Sequence, residues 1–454
     1  MSLRSLPPLL AQDEAVTRLA GASSALIAVP EPARAFVIAG LARLSSKRPL
    51  VVAVPTSPDA DRLAHDLRAF LGDQEVDTFP AWETLPFERV SPSVETMGRR
   101  LRVLWRLRGP VEGEPDRAPR VLVAPVRALI QRLGPHVEDV RPLVIRPGDQ
   151  VDPTDLVARL VGAGYRREYQ VEARGEVAVR GSIVDVFAST ADGPVRIDLW
   201  GDEVDRLNAF SVSDQRSLGD VGEVEIFGCR ELLATPEVQA RAEGLIATEP
   251  WGREQWERLA EGLTFDGMES WLPWLADKEH VVMDLVGPSA QVVLVEPRRM
   301  RDRAAELLDE EGSLAATLAQ TWAADSSKGF PKLHVPFDRL LAHTTAPVWN
   351  MANAPEGPDT ITVSAQRWDP VVAGGDRLVK QVNELLGTGY RVVVCAEGKG
   401  TADRMARSFA EEGLTVDVVG EAEAGEAAPD VTRPGIRVVV QALEQGFILP
   451  SLKL

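Results

Sequence analysis

The first third of the chain alternates short apolar runs with longer segments whose apolar residues recur at helical spacing. The runs predict buried strands at 25–29, 49–55 and 76–80. The longer segments predict helices at 33–44, 58–71 and 93–107, and a strand running into a helix follows at 120–133. The segment 33–44 is read as amphipathic. This alternation is typical of a parallel sheet covered by helices.

The period changes to two between about residues 140 and 220. A strand and a helix at 142–165 lead into alternating runs at 176–187 and 195–212, with turn residues between them. We read this region as a small α+β unit whose antiparallel sheet is solvated on one face.

A mixed pattern returns after residue 225. It predicts strands at 280–286 and 291–297, a charged helix at 298–312, and a loop at 348–358. A last β-α-β-α unit begins with a strand at 361–365 and carries an acidic insertion at 421–430.

Composition narrows the classes of protein that fit. The 454 residues include 50 Lys and Arg against 68 Asp and Glu, a net charge of −18, which argues against a chain whose main role is to coat DNA. Two cysteines and five scattered histidines provide neither a disulfide framework nor zinc spacing, so no metal site is expected. No apolar run approaches a membrane span, and the first residues do not resemble a secretion signal. We therefore expect a cytoplasmic protein with no membrane contact.

The turn after the first strand is unsuited to a nucleotide phosphate. A P-loop needs glycines, a lysine and a hydroxyl residue there, because backbone amides wrap the phosphates and the lysine neutralises their charge. This chain has neither glycine nor lysine in the stretch Val29, Pro30, Glu31, Pro32, Ala33 and Arg34. The two prolines remove amide donors and the glutamate adds like charge, so the degenerate loop predicts no ATP binding.

Two later segments could be remnants of a nucleotide site. The segment AEGKGTADR (396–404) contains Lys399 after a predicted strand. It is either an ordinary strand-to-helix turn with Thr401 as helix N-cap or a degenerate phosphate site. Glu296 follows the strand at 291–297, where an ATPase carries an acidic metal motif. A single carboxylate is too little for magnesium and water activation, so a structural role is favoured.

Three clusters could bind a partner. Arg99, Arg102 and Arg106 share one helical face, as candidate nucleic-acid contacts or as partners of local carboxylates. The arginine-rich segment 165–181 either suits a protein partner or is an ordinary solvated strand surface. Four tryptophans between residues 251 and 274 favour core packing.

Three stretches resemble one family. Residues 79–107, 164–218 and 267–275 resemble, in that order, segments of the bacterial transcription-repair coupling factors (Mfd), the second lying in a domain shared with the excision-repair protein UvrB. The resemblance implies a degenerate helicase-like parallel-sheet α/β domain, split in sequence by a small α+β domain and followed by a small α/β domain. The boundaries implied are 1–138 and 225–345 for the two parts, 139–224 for the inserted domain, 346–359 for a linker and 360–454 for the last domain.

The resemblance also implies a function. The inserted domain of the family docks the repair protein UvrA, and carrying this over places the contact on Arg166, Arg167, Arg180 and Phe187. UvrB reads F-R-V-R-G where this chain reads VAVRG (177–181), so Ala178 replaces one arginine.

Further parts of the family protein bind RNA polymerase and move on DNA with ATP and magnesium. The resemblance implies that those parts lie beyond residue 454, and that this chain is non-catalytic and binds no cofactor. The alternatives are a divergent UvrB-like ATPase or helicase, and a DNA-binding scaffold.

Overall fold

The computed structural model describes residues 3–109, 117–276, 278–322, 324, 329–368, 375–419 and 430–454. The strands of these residues are β1 Ala25–Ala28, β2 Leu50–Val54, β3 Val76–Thr78, β4 Val121–Pro125, β5 Leu143–Ile145, β6 Arg166–Arg167, β7 Glu176–Arg180, β8 Ile183–Phe187, β9 Val195–Trp200, β10 Glu203–Phe210, β11 Ser217–Asp220, β12 Val224–Ile226, β13 Gln291–Val295, β14 Val348–Ala352, β15 Ile361–Thr362, β16 Gln366–Arg367, β17 Arg391–Ala396, β18 Val416–Val419, β19 Gly435–Val440 and β20 Phe447–Ile448.

The α-helices of the same residues are α1 Glu14–Ala20, α2 Arg34–Leu44, α3 Ser57–Leu71, α4 Val94–Leu107, α5 Val126–Leu129, α6 Pro153–Gly162, α7 Pro236–Thr248, α8 Arg253–Ala260, α9 Leu272–Leu275, α10 Pro297–Thr321, α11 Phe337–Leu340, α12 Gly375–Gly387 and α13 Lys399–Glu411. Within the described ranges, no helix is both long and apolar enough to span a membrane.

A seven-stranded parallel sheet organises the fold, in the order β15-β1-β14-β13-β2-β4-β3. Its strands come from both sides of the region 143–226, so the sheet is split in sequence by a second unit. Successive side chains of β2 alternate between two cores: Val52 and Val54 face one, while Val51 and Ala53 face the other. Burial on both faces explains why these strands are continuous apolar runs.

The second unit is a six-stranded sheet in the order β11-β10-β9-β8-β7-β6, antiparallel except where β6 meets β7. Its inner face packs against α6, which Asp152 caps by accepting a hydrogen bond from the Asp155 amide. The period-two pattern therefore predicted this sheet correctly.

Helix α4 supports the six-stranded sheet at close range. A side chain on Gly98 would approach the Ser189 Oγ atom to 2.3 Å, so only glycine allows this contact. The Tyr165 hydroxyl donates to the Phe227 carbonyl at 2.7 Å and accepts from the Ser189 amide at 3.1 Å. The Gly98–Ser189 contact sets the end of β8 against the helix, and the Tyr165 hydrogen bonds join that end to the segment at Phe227.

A buried ion pair joins α4 to the chain that leaves the six-stranded sheet. Arg100 is 0% exposed and donates from Nε and Nη2 to the two Glu231 carboxylate oxygens, both at 2.8 Å. The remaining Arg100 nitrogen donates to the Pro80 carbonyl at 2.9 Å, and the Trp82 indole donates to Glu231 at 2.7 Å. A buried pair is tolerated when its polar atoms are satisfied in this way.

The last unit is a three-stranded parallel sheet, β17-β19-β18, that contacts the opposite side of the main domain. Phe447 stacks on Phe36 of α2 with ring centroids 5.3 Å apart, and the Glu444 amide donates to Asp66 of α3 at 3.0 Å. Helix α2 is therefore buried along almost its whole length, and its interpretation as an amphipathic helix was wrong.

Several predicted elements differ from the structure. Residues 348–352 form the internal strand β14 rather than part of a loop, because Trp349 and Met351 are buried between two parallel neighbours. Residues 282–285 form a 3-10 helix rather than a strand, since the Val281 amide bonds the Asp284 side chain.

Three further differences concern the sheet that one strand joins and the ends of two helices. The strand β15, predicted to begin the last unit, pairs with β1 in the main sheet. Helix α10 runs to Thr321 rather than ending at 312. Helix α13 is N-capped by Gly398 in extended conformation rather than by Thr401. Most of the insertion 421–430 lies outside the described residues.

The tryptophans form a core, as the sequence predicted. Trp251, Trp256, Trp271 and Trp274 pack with centroid separations of 4.8 to 6.0 Å, and Trp322 joins them from α10. This cluster fills the space between α7, α8 and α9.

The Arg100–Glu231 pair is expected to control stability. Glu231→Ala leaves a buried guanidinium without its carboxylate, and removing one partner of such a pair typically costs about 3–5 kcal/mol. Urea unfolding measures the loss. The control is Arg99→Ala, which breaks the more exposed Arg99–Glu95 pair of the same helix and is expected to cost less than about 1 kcal/mol. Equal losses in both variants would contradict the importance of the buried pair.

Candidate functional site

The degenerate loop lies where the main sheet would hold a nucleotide, at the carboxyl end of β1. Val29 continues β1, Glu31–Ala33 form one 3-10 turn, and α2 begins at Arg34. The Glu31 amide, which would face a phosphate in a P-loop, donates to the Asn353 side chain at 3.0 Å. The donor is therefore occupied by the protein itself.

Arg34 closes the same position with an ion pair. Its guanidinium pairs with the Glu296 carboxylate and donates from Nε to the Val29 carbonyl at 3.3 Å. Glu296 directly follows β13, and its backbone φ angle is 53°. This left-handed conformation is uncommon for residues other than glycine. The two segments that would carry phosphate and magnesium in an ATPase thus bind each other.

The space that remains there is small and polar. A cavity of about 70 Å³ lies between Arg34, Glu296 and the C-terminal segment at Glu444. Ligand pockets typically measure roughly 300–1,000 Å³, so this space is smaller than a typical ligand pocket. Within the described parts of the chain, no group of acidic, histidine or cysteine side chains is arranged to hold a metal ion.

The outer face of the six-stranded sheet is a candidate surface for binding a partner. The inner face carries Val177, Val184 and Ile197, which belong to the core. Alternation therefore turns the intervening residues outward. The strand register sets them in rows, one of which runs from Arg180 through Ile183 and Asp198 to Arg206.

Arg180 is oriented by a buried carboxylate. Asp185 pairs with Arg180 and also accepts two hydrogen bonds from Arg196, at 2.8 and 3.0 Å. This hydrogen bonding with Asp185 raises the pKa of Arg196. Arg180 keeps 38% of its side chain exposed, so it is both positioned and accessible.

Phe187 lies on the outer face but under a loop. It packs with Val171, Ala178 and Phe210 and is only 8% exposed. The ring supports the loop beside the sheet, and Ala178 is buried in the same apolar cluster.

Arg166 and Arg167 occupy the edge strand β6 and are exposed. Arg166 pairs with Glu176 at 3.2 Å, and the Glu176 carboxylate also accepts from the amides of Glu172 and Ala173. The structure therefore brings Arg166, Arg167 and Arg180 onto one sheet, on and beside the strand pair β6–β7.

The arginines of α4 are held by local acids. Arg102 donates to Asp77 at 2.7 Å, Arg106 pairs with the same carboxylate, and Arg99 pairs with Glu95 at 2.5 Å. This arrangement favours the interpretation that they neutralise carboxylates beside the edge strand β3. A nucleic-acid contact at these residues stays a prediction.

Several residues of the site were missed by sequence reasoning. Asp185 and Arg196 organise the outer face, and Trp200, at the end of β9, is 84% exposed. The period-two alternation could have placed all three on one face, because each lies an even number of residues from another outward position on its strand.

The fold and the exposed sheet define a helicase-like α/β protein that carries an added interaction domain. Residues 143–232 match the family described as UvrB interaction domain. Over most of its length the chain matches the N-terminal region of transcription-repair-coupling factors, which confirms the family resemblance.

Three of these relatives show the extent of the similarity. The factor of Mycobacterium tuberculosis is 35% identical, across 94% of this chain and 36% of its own length. The factor of Bacillus subtilis is 26% identical across 93% and 36%, and that of Escherichia coli 34% identical across 40% and 15%. The chain spans about a third of the length of the relatives it matches most fully.

Asp66 is expected to make stability depend on pH. Burial raises its pKa from 3.8 to about 6, so the folded state binds a proton more readily than the unfolded state. Stability should therefore fall as pH rises from about 4 to 6. Asp66→Asn removes the cost of ionising a buried carboxyl and keeps an oxygen that accepts from the Glu444 amide. We therefore expect the free energy of unfolding at pH 7 to rise by about 1 kcal/mol.

Urea unfolding between pH 4 and 7.5 measures this effect. Asp61→Asn, at an exposed position of the same helix, is the matched control and should leave the pH profile unchanged. A profile for Asp66→Asn parallel to that of the unmodified chain would contradict the assignment.

Proposed function

We propose that this chain is a docking part of a transcription-repair-coupling factor and that it recruits UvrA through the outer face of its six-stranded sheet. The observation that carries the proposal is the rigid presentation of arginines on that face, inside the region that matches the UvrB interaction domain. Arginine suits such a surface because its planar guanidinium forms paired hydrogen bonds with carboxylates and stacks on aromatic rings.

The contact is proposed to use Arg166 and Arg180 on the outer face directly, together with Arg167 at the exposed sheet edge, where its register position beside Val177 turns it towards the other face. Phe187 contributes by supporting the loop at 171, since its ring is mostly covered. Asp185 contributes by orienting Arg180, so the guanidinium needs less ordering when the partner binds.

The chain is proposed to be non-catalytic and to bind no cofactor. The Arg34–Glu296 pair and the Asn353 contact supply the partners that phosphate would otherwise need. Binding of RNA polymerase and ATP-driven movement on DNA with magnesium are proposed for parts of the whole protein outside these 454 residues. The role is proposed to be cytoplasmic, where a reduced protein meets DNA and polymerase.

Arg180→Ala is expected to weaken UvrA binding at least about tenfold, because removal of a central interface arginine typically costs about 2 kcal/mol or more. Calorimetric titration of UvrA into the chain measures the affinity. Arg166→Ala is expected to act in the same direction.

The matched control is Arg253→Ala, which removes an exposed, ion-paired arginine from α8, away from the sheet. It should bind like the unmodified chain. If a folded, unmodified chain shows no binding to UvrA, the docking proposal is wrong, and salt-dependent DNA binding would favour the scaffold alternative.

ATP is expected to leave thermal stability unchanged. A ligand that binds only the native state at a hundred times its Kd would add about 2.7 kcal/mol. Thermal unfolding with and without magnesium ATP measures this difference, with an unrelated P-loop ATPase as positive control. A saturable rise in Tm with ATP would support the ATPase alternative instead.

A further inference from the structure

Trp200 is the most exposed tryptophan on the outer face of the six-stranded sheet. It ends β9, two residues beyond Asp198, and the residue is 84% exposed. The neighbouring residues Ile197 and Leu199 point into the core, so the indole projects away from it. Leaving so large an apolar ring in water forgoes the stabilisation that burial would bring.

The hairpin that carries Trp200 is braced along its length. The Val151 amide donates to the Asp202 carbonyl at 2.6 Å, and the Val204 amide donates to the Asp149 carbonyl at 2.9 Å. On the other side, the Leu199 amide donates to the Ser182 carbonyl at 2.9 Å. The backbone around Trp200 is therefore hydrogen-bonded to two neighbouring segments. A rigid backbone at this position lowers the entropy cost of binding a partner.

Trp200 shares its face with Arg180. Arg180 lies opposite Ile183, and Ile183 lies opposite Asp198, so the two side chains are separated by two strand spacings and two residues. Standard sheet dimensions place their Cα atoms about 12 Å apart. That span fits easily within one protein interface of standard size.

The other aromatic residues of this unit are less suited to anchor a partner. Phe187 is covered by its own loop. Tyr169 is 88% exposed, but it follows the two-residue edge strand β6 rather than a braced hairpin. Buried aromatic anchors near the centre of an interface typically carry much of its binding energy.

Acidic residues are concentrated beside Trp200. Asp202 and Glu203 follow it in the same hairpin, Arg180 lies two strands away, and the exposed Arg206 of β10 pairs with Asp205 at 3.3 Å. Glu203 lies directly opposite Trp200 in the register. A complementary partner surface has acids facing the arginines, a basic group facing Glu203, and an apolar pocket between them.

We propose that Trp200 is the apolar anchor of the docking surface and inserts into a pocket of the partner whose rim is basic. This inference rests on the proposed function, since the partner is UvrA. It extends that function by adding a contact on β9, an internal strand three places from β6 in the sheet, and by assigning the partner a pocket of defined chemistry.

The test is a titration of UvrA against the chain with Trp200→Ala, Trp200→Phe and Tyr169→Ala. Trp200→Ala should weaken binding at least about tenfold, mainly through faster dissociation. Trp200→Phe keeps an aromatic ring and should stay within about threefold. Tyr169→Ala, the control of similar exposure, should stay within about twofold. The Tm of each variant should match the unmodified chain because neither ring is packed.

Three outcomes separate this inference from the proposed function. If the unmodified chain binds UvrA and Arg180→Ala weakens it while Trp200→Ala does not, the anchor is wrong and the function stands. Equal losses in Trp200→Ala and Tyr169→Ala would also overturn the anchor. If the unmodified chain does not bind UvrA at all, the proposed function itself is wrong.

Glu203→Lys tests the basic rim. It should weaken binding at low salt, with a smaller effect at high salt, because an attraction between charges is screened. Stronger binding by Glu203→Lys would show that the rim is not basic.

Discussion

The Arg100–Glu231 ion pair is the constraint on which the relative position of the two sheets depends. Both charges are buried, and a buried charge is tolerated only when its hydrogen bonds are satisfied. Satisfying them brings together α4, the segment at Pro80 and Trp82, and the chain leaving the interaction unit. Because α4 also contacts Ser189 through Gly98, the same helix holds the six-stranded sheet with its outer face turned to solvent.

The main sheet and the interaction sheet use arginine in opposite ways. In the main sheet, Arg34 is buried against Glu296 and closes the position where a nucleotide would bind. In the interaction sheet, Arg180 is oriented by Asp185 but stays accessible. One arrangement satisfies the charge internally, and the other leaves part of it for a partner. This contrast supports the proposal that the chain binds a protein partner through the interaction sheet.

Much of the architecture could be predicted from local pattern, and the failures have physical causes. The strands β2 and β13 are buried on both faces, so their sequences are continuous apolar runs and were recognised. Strand β14 was missed because its sequence VWNMA is short and interrupted by Asn350, and only its two parallel neighbours stabilise it as a strand. At 282–285 the apolar residues resembled a strand, but a local hydrogen bond from the Val281 amide to Asp284 favours a helical turn.

The sequence by itself determined the two periodicities, the loss of the P-loop residues and the presence of arginines near the interaction strands, because these depend on residues close in the chain. Only the tertiary structure decided which charges are satisfied and which remain accessible. Arg34 and Glu296 are 262 residues apart, and Arg100 and Glu231 are 131 apart. No local pattern reports such pairings, since they arise when separate elements pack together and exclude water from between the charges.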